Sequence, residues 1–194
     1  MVPDEIVDFV RQMKPKEHVV MLYSKPEDKR LVLFTYLKEG LARGEATAYV
    51  VGEETIDQIK EEMRKFGINV EGLENSGALH VMHSIQWYTN GGKLDVSRTK
   101  ELWKKLYDKS LARGFKGLRV TGEGTFFFES RMANELVVYE RSLHRELDLP
   151  MTAICAYNSE TIAKENGVER VLDLIKSHRT VIILGQKSGV VDSY

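Results

Sequence analysis

The chain has 194 residues, of which 42% are apolar and 29% charged, and these are the proportions of a single globular domain. The formal net charge of −1 leaves no basic field for direct binding of nucleic acid. No stretch approaches the ~20 apolar residues of a membrane span, and the acidic N-terminal segment does not resemble a signal peptide. The lone cysteine, Cys155, cannot form an internal disulfide, so we expect a cytoplasmic protein.

Strand-like and helix-like segments alternate along the chain. Short apolar runs predict six strands, at residues 18–23, 46–51, 78–84, 117–122, 151–157 and 180–185. Apolar residues at helical spacing predict helices at residues 3–13, 26–44, 55–67, 97–114, 128–147 and 159–177. Ser97 is expected to cap the fourth helix, and Gly167 is a candidate break in the last.

The alternation of strands and helices predicts an α/β fold, a mostly parallel central sheet with helices on both faces. The pattern does not set the order of the strands in the sheet. We expect one domain over residues 1–194, with an N-terminal helix and lead-in at 1–16, a core at 17–185 and a tail at 186–194.

Residues that follow the predicted strands are candidates for a binding site, because open parallel sheets bind ligands beyond the carboxyl ends of their strands. These positions combine aromatic side chains with a few polar groups, as small-molecule pockets do. They include Tyr23, Glu53, Trp87, Tyr88, Thr121, Glu123, Phe126 and Tyr157. Residues 84–95 read as a loop with a turn at Asn90–Gly92, and we expect this loop to close over the site.

The turn after the first strand lacks the chemistry of a phosphate-binding loop. Such a loop needs glycines, because its backbone N–H groups wrap around the phosphates. Residues 23–30 read YSKPEDKR and contain no glycine; Pro26 removes one N–H donor, and Glu27 and Asp28 add carboxylates. A Walker-type strand would end in aspartate, whereas the fourth strand offers Thr121-Gly122-Glu123 at this point. We therefore expect a protein that does not hydrolyse ATP.

Several candidate residues also have an ordinary structural interpretation. His18 begins a buried strand and is either a site residue or an imidazole bonded to backbone. Glu123 either contacts a ligand or pairs with Arg119, which shares its face of the strand if the strand extends that far. Cys155 is either inert and buried or redox-active. Of the three aromatic residues at 126–128, at least one is expected to line the rim.

A metal site is a further alternative that the spacing disfavours. His18, His178 and Cys155 carry imidazole and thiolate groups, which suit zinc. The sequence has no short ligand spacing such as CxxC or HxxxH among them. We therefore expect no metal and no other cofactor.

Residues 44–84 resemble the second βαβ unit of KaiC-type ATPases of the RecA superfamily. The resemblance lies in Gly44-Glu45 before a strand, Gly52-Glu53-Glu54 after it, and Phe66-Gly67 at the end of the next helix. A short acidic linker and a Gly-Ala-Leu strand follow. The resemblance implies a RecA/KaiC-like three-layer sandwich.

A longer pattern resembles the MEDS domain, the methanogen/methylotroph DcmR sensory domain. The matching positions cover most of the chain: His18, Tyr23, Gly40-Leu41, Gly44-Glu45, Tyr88, Gly92–Asp95, Trp103, Gly117–Glu123, Tyr139-Glu140, Cys155, Tyr157 and His178. The resemblance implies a sensory domain that recognises small organic, hydrocarbon-like compounds. Together with the strand ends, it sets the predicted ligand-binding residues as His18, Tyr23, Glu53, Trp87, Tyr88, Arg119, Thr121, Glu123, Phe126, Cys155 and Tyr157.

Three functional hypotheses follow. The first is a ligand-sensing regulatory domain. We expect it to signal to a separate protein, a kinase or a transcription regulator, or to act as a stand-alone sensor, because we find neither a kinase pattern nor a helix-turn-helix. The second is a degenerate KaiC-like nucleotide-binding protein or ATPase. The third is a module that forms homo-oligomers or docks onto a partner.

Overall fold

The computed structural model describes residues 2–146, 149–165 and 168–192. Its strands are β1 (His18–Tyr23), β2 (Ala46–Val51), β3 (Leu79–His83), β4 (Thr89–Asn90), β5 (Lys93–Leu94), β6 (Leu118–Glu123), β7 (Thr152–Asn158), β8 (Thr180–Leu184) and β9 (Gly189–Asp192). Its helices are α1 (Asp4–Gln12), α2 (Pro26–Ala42), α3 (Ile56–Lys65), α4 (Val70–Ser76), α5 (Ser84–Tyr88), α6 (Val96–Ala112), α7 (Phe126–Glu129), α8 (Ala133–Glu146), α9 (Ser159–Lys164) and α10 (Val168–Lys176).

The central sheet has seven strands in the order β3-β2-β6-β7-β1-β8-β9. Neighbouring strands run parallel, except that β8 and β9 are antiparallel. Strands β4 and β5 form a separate antiparallel hairpin. The predicted α/β sandwich with a mostly parallel central sheet is therefore the fold of this chain.

Helices cover both faces of the sheet, which explains why its strands are continuous apolar runs. Side chains alternate along each strand, so Val19 and Met21 of β1 join one apolar core and Val20 the other. Helices α1 to α4 pack on the first face, and α5 to α10 on the second. Within the described residues, no helix combines the length and apolar character that crossing a bilayer requires.

The sheet continues into residues 186–194, which the sequence predicts as a tail. Gly189–Asp192 form β9 and pair with β8, in a register that places Val190 opposite Ile182. A bare β8 would present a row of unpaired backbone groups, and β9 covers that edge. The sequence pattern missed this strand because it has only four residues.

Residues 84–95, predicted as a loop, contain regular structure. Helix α5 begins directly after β3, and the hairpin of β4 and β5 follows it. The predicted turn lies between these two strands, where Gly91 and Gly92 adopt positive φ angles of 59° and 77°. The segment is therefore a helical turn and a hairpin, with α5 at the carboxyl end of β3.

Two predicted helices are each divided. The segment 128–147 contains the end of α7 and then α8, with Arg131 between them at a φ of 57°. Such a left-handed residue interrupts a right-handed helix. The segment 159–177 contains α9 and α10, and the predicted break at Gly167 lies outside the described residues.

Candidate functional site

The carboxylate of Glu123, at the end of β6, is the centre of a buried network at the carboxyl edge of the sheet. Lys29 of α2 and the hydroxyl of Tyr49 on β2 both donate to Oε1, each over 2.6 Å. The backbone N–H groups of Gly52 and Glu53 donate to Oε2 over 2.7 and 2.9 Å. Because β2 and β6 are neighbours, these groups meet at one point of the edge.

The side chain of Glu53 extends this network towards solvent. Its carboxylate accepts hydrogen bonds from the hydroxyls of Tyr23 and Thr125, the second over 2.6 Å. Lys29 reaches it over 3.2 Å, and the Glu53 side chain remains 19% exposed. We call Tyr23, Lys29, Tyr49, Glu53, Glu123 and Thr125 the edge network.

Within the edge network, the buried charges of Lys29 and Glu123 compensate each other. Burial alone would raise the pKa of Glu123, but the Lys29 ammonium and the hydrogen bonds hold it below its usual range. Burial would lower the pKa of Lys29, and the carboxylates of Glu123, Glu53 and Glu54 outweigh that effect and raise it. Both groups are therefore charged at neutral pH. The Lys29 ammonium lies within 4 Å of all three carboxylates.

A second set of predicted residues lies on the second face of the sheet, among aromatic rings. Trp87 packs edge-on against Trp103 at 4.7 Å between ring centroids. Tyr88 lies 5.4 Å from Phe127 and 5.7 Å from Tyr139. We call Trp87, Tyr88, Trp103, Phe126, Phe127 and Tyr139 the aromatic group. These rings form an apolar surface that includes the two aromatic residues of α5.

Burial differs from expectation in the aromatic group. The expectation that at least one aromatic residue among 126–128 lines the rim is wrong, because Phe126, Phe127 and Phe128 are all buried. Tyr88 is buried as well, and its hydroxyl lies where a side chain at Gly122 would be. Tyr88 is therefore a packed side chain beside the edge network and not part of an open loop.

Two polar atoms of α5 are buried without a hydrogen-bond partner among the described residues. They are the indole N–H of Trp87 and the hydroxyl of Ser84. A buried donor without a partner costs about 1–3 kcal/mol. Both atoms lie at the carboxyl end of β3, where open parallel sheets bind their ligands.

A third set of side chains meets between the sheet and the helices α8 and α10. His18, Glu140, Cys155 and His178 each contribute one ligand atom, and these atoms all lie within 4.8 Å of one another. His18 Nε2 lies 3.1 Å from the Cys155 sulfur, 3.2 Å from His178 Nε2 and 3.3 Å from a Glu140 oxygen. We call these four residues the histidine–cysteine cluster.

Glu140 and His178 are buried and His18 and Cys155 are partly buried, and further hydrogen bonds fix the orientation of the cluster. His178 Nδ1 donates to the carbonyl of Leu174 over 2.7 Å, and the hydroxyl of Tyr157 donates to Glu140 over 2.7 Å. Burial alone would raise the pKa of Glu140, but the two histidines hold it well below its usual range. Burial, reinforced by Glu140, raises the pKa of the Cys155 thiol.

Arg119 and Thr121 lie apart from these sets. Arg119 forms an ion pair with Glu45, not with Glu123, because Glu123 lies four residues away at the opposite end of β6. Its guanidinium also donates to three backbone carbonyls, those of Val10, Met13 and Tyr36. The Thr121 hydroxyl donates to the Ile154 carbonyl over 2.9 Å. Both residues therefore join elements of the fold.

The structure separates the predicted ligand-binding residues into these groups. Tyr23, Glu53 and Glu123 meet in the edge network, and His18, Cys155 and Tyr157 meet around Glu140. Sequence reasoning did not include Lys29 and Glu140 among the site residues. Their helical spacing could have indicated burial. Glu140 lies four residues after Leu136, and Lys29 lies four residues before Leu33, so each shares the buried face of its helix. Charged residues at such positions are seldom buried unless they are paired.

Comparison with known proteins places this chain among RecA-fold proteins and in one sensory family. A KaiC-like protein from the hyperthermophilic archaeon Pyrococcus horikoshii OT3 has a similar structure, with a TM-score of 0.62 and 16% identity over 91% of this chain and 76% of that one. Another structure from the same organism has a TM-score of 0.60 and 10% sequence identity, over 97% of this chain and 91% of that one. No curated protein sequence matches the chain significantly. The family profile of the MEDS domain, the methanogen/methylotroph DcmR sensory domain, matches residues 17–179, and the chain belongs to that family.

Proposed function

We propose that this domain binds a small, largely apolar organic molecule at the carboxyl edge of its sheet, without hydrolysing ATP, and passes the bound state to a separate signalling protein. Membership of a sensory family supports a regulatory role. The RecA-like fold supports the location, because open parallel sheets bind ligands at that edge.

The observation that carries the proposal is the pair of buried polar atoms on α5. The Trp87 N–H and the Ser84 hydroxyl have no partner among the described residues, and the ring of Trp103 packs against that of Trp87. This environment requires a hydrogen-bond acceptor for the indole N–H and apolar atoms against the aromatic rings. A molecule with an apolar body and one oxygen acceptor supplies both. Its oxygen accepts from the indole, and its carbon atoms contact the rings.

The edge network argues against a nucleotide. Lys29 lies in the first turn of α2, the helix that follows β1, and its ammonium contacts three carboxylates. A triphosphate would have to displace those carboxylates, and it would meet a turn with no glycine and with Pro26. The repulsion and the missing backbone donors both oppose binding.

The response to a ligand would pass through α5. Arg98 of α6 donates to the backbone carbonyls of Trp87 and Thr89 over 3.2 and 3.3 Å. A ligand that binds better when α5 is displaced would favour that arrangement, and α6 and the hairpin of β4 and β5 would follow. The surface they present to a partner would change with them.

Tryptophan fluorescence tests the proposal directly, because the chain has only two tryptophans and both belong to the aromatic group. The purified protein is titrated with short-chain alcohols, ketones and haloalkanes. We expect a saturable change with at least one of them. A ligand of about four non-hydrogen atoms gains at most about 6 kcal/mol, which corresponds to a Kd of roughly 40 μM.

Variants on α5 identify the binding position. Trp87→Phe keeps an aromatic ring but removes the N–H, so we expect weaker binding of the alcohols and ketones as measured by calorimetry. Ile85→Ala on the same helix is the control, because the Ile85 side chain is 55% exposed, and it should bind as the wild type does. Equal affinity of the Trp87→Phe variant and the wild type would contradict the proposal.

A further inference from the structure

We propose that the histidine–cysteine cluster binds one Zn²⁺ ion through His18, Glu140, Cys155 and His178. Five of the six distances between their ligand atoms lie between 3.1 and 3.6 Å. A tetrahedral zinc ion with bonds of about 2.0–2.3 Å separates its ligand atoms by about 3.3–3.8 Å. The four atoms are therefore close to the corners of such a tetrahedron.

The contacts of His18 favour an ion over a set of hydrogen bonds. Its Nε2 atom lies within 3.3 Å of the sulfur of Cys155, the Nε2 of His178 and an oxygen of Glu140. A ring nitrogen has either one proton or one lone pair, so it cannot form three such hydrogen bonds. A cation bound between the four groups would explain why their ligand atoms lie so close together.

The orientation of His178 also fits a metal ligand. A carbonyl oxygen only accepts, so Nδ1 carries the proton that is donated to Leu174. In the neutral ring the lone pair of Nε2 then points into the cluster, towards the Glu140 oxygen 3.5 Å away. Metal-bound histidines characteristically donate their other ring N–H in this way, and Tyr157 likewise orients the Glu140 carboxylate.

Charge and burial support zinc and a structural role. One Zn²⁺ ion with a thiolate, a carboxylate and two neutral imidazoles forms a neutral centre, as a buried site requires. Nitrogen and sulfur ligands select zinc over magnesium or calcium. Four protein ligands complete the tetrahedron, so the ion would be structural. It would join β1, β7, α8 and the turn between α10 and β8.

The ion has a route to the cluster. A surface cleft of about 350 Å³ is bordered by His18, together with Phe9, Lys16, Arg179 and Asp192. The His18 side chain is 10% exposed, whereas those of Glu140 and His178 are buried. His18 is therefore the ligand that an entering ion would meet first.

The fold, and not a local motif, assembles this site. Its ligands are separated in sequence by 137 residues between His18 and Cys155 and by 160 between His18 and His178. The parallel pairing of β1 with β7, which aligns Val20 with Cys155, brings the first two together. The absence of a short spacing, on which the sequence prediction of no metal depends, therefore does not exclude the site.

Cobalt substitution tests the proposal. The full-length protein without an affinity tag is treated with a chelator under reducing conditions and titrated with Co²⁺. We expect one equivalent to give the visible bands of tetrahedral cobalt and an ultraviolet sulfur-to-cobalt charge-transfer band, and Zn²⁺ to displace both. Native mass spectrometry should find one zinc per chain after zinc loading, and zinc should raise the unfolding temperature.

Variants assign the ligands. Cys155→Ser should lose the charge-transfer band, and Tyr157→Phe should weaken zinc binding about 10- to 100-fold, as loss of an outer partner does. His80→Asn is the control; His80 lies on β3 beside the Gly77 carbonyl and should leave binding unchanged. Absence of saturable binding to the wild type would overturn the proposal, whether or not a variant folds. So would a charge-transfer band that persists in Cys155→Ser.

Discussion

Lys29 is the residue on which the edge network depends most. Its side chain is fully buried in α2 and compensates the equally buried carboxylate of Glu123. Taking two charges out of water is costly, and the ion pair repays that cost only while both partners are present. The pair therefore makes both residues sensitive to substitution.

We predict that Lys29→Met lowers the free energy of unfolding by about 3–5 kcal/mol, because it leaves the Glu123 carboxylate buried without its cation. Urea denaturation measures the change. The double variant Lys29→Met with Glu123→Gln should recover part of the loss, since neither charge then remains.

A lysine at the surface provides the control. Lys65→Met removes an exposed pair with Glu62, and such pairs contribute little to stability because solvent screens their charges. A Lys29→Met variant no less stable than Lys65→Met would show that the buried pair does not hold the edge together.

Part of the edge network is predictable residue by residue. Tyr23, Glu53 and Glu123 end or follow strands, and parallel strands bring their carboxyl ends to one edge. That Lys29, and not Arg119, pairs with Glu123 depends on how α2 packs on the sheet. Local spacing in the sequence does not contain that information.

Among the elements, helix α6 shows how a cap decides where a helix begins. The sequence favours Ser97 as its cap, but the side chain of Asp95 accepts from the N–H of Arg98 over 2.9 Å. Asp95 precedes the helix and also complements its positive N-terminal end. Ser97 lies inside the first turn and is exposed.

We predict that Asp95→Ala lowers the free energy of unfolding by about 1 kcal/mol, the usual cost of losing a cap. Ser97→Ala on the same turn should change it by less than about 0.5 kcal/mol, as most exposed substitutions do. Chemical denaturation of both variants compares them. A larger loss of stability in Ser97→Ala than in Asp95→Ala would show that Ser97, and not Asp95, caps the helix.

Long apolar segments were the predictable elements, and short ones were not. The six parallel strands are all present, because each is a run of apolar residues buried on both faces. Helix α5, the hairpin of β4 and β5, and β9 have two to five residues each, too few for a period to emerge. These short elements form the surroundings of Trp87 and the edge of the sheet.

For the whole molecule, strand order is what creates the sites. The neighbours β2 and β6 bring Glu53 to Glu123, and the neighbours β1 and β7 bring His18 to Cys155. Sequence patterns predict that the strands are parallel but not which of them are adjacent. Neither the edge network nor the histidine–cysteine cluster could therefore be assembled from the sequence alone.

The two sites meet on β7. Tyr157 donates to Glu140 of the cluster, and the N–H of the next residue, Asn158, donates to Thr125 of the edge network over 2.9 Å. Consecutive residues thus contact both sites. A metal-dependent change in α8 and a ligand-dependent change at the edge would both act on this one strand.

The most direct test of the account is whether the carboxyl edge accepts a nucleotide. Nitrogen-15 NMR spectra recorded during a titration with magnesium and ATP report on the amides of Gly52 and Glu53, which donate to Glu123. If the edge excludes nucleotides, these two resonances do not move and no phosphate is released. Saturable shifts of both resonances, together with magnesium-dependent phosphate release, would contradict that exclusion.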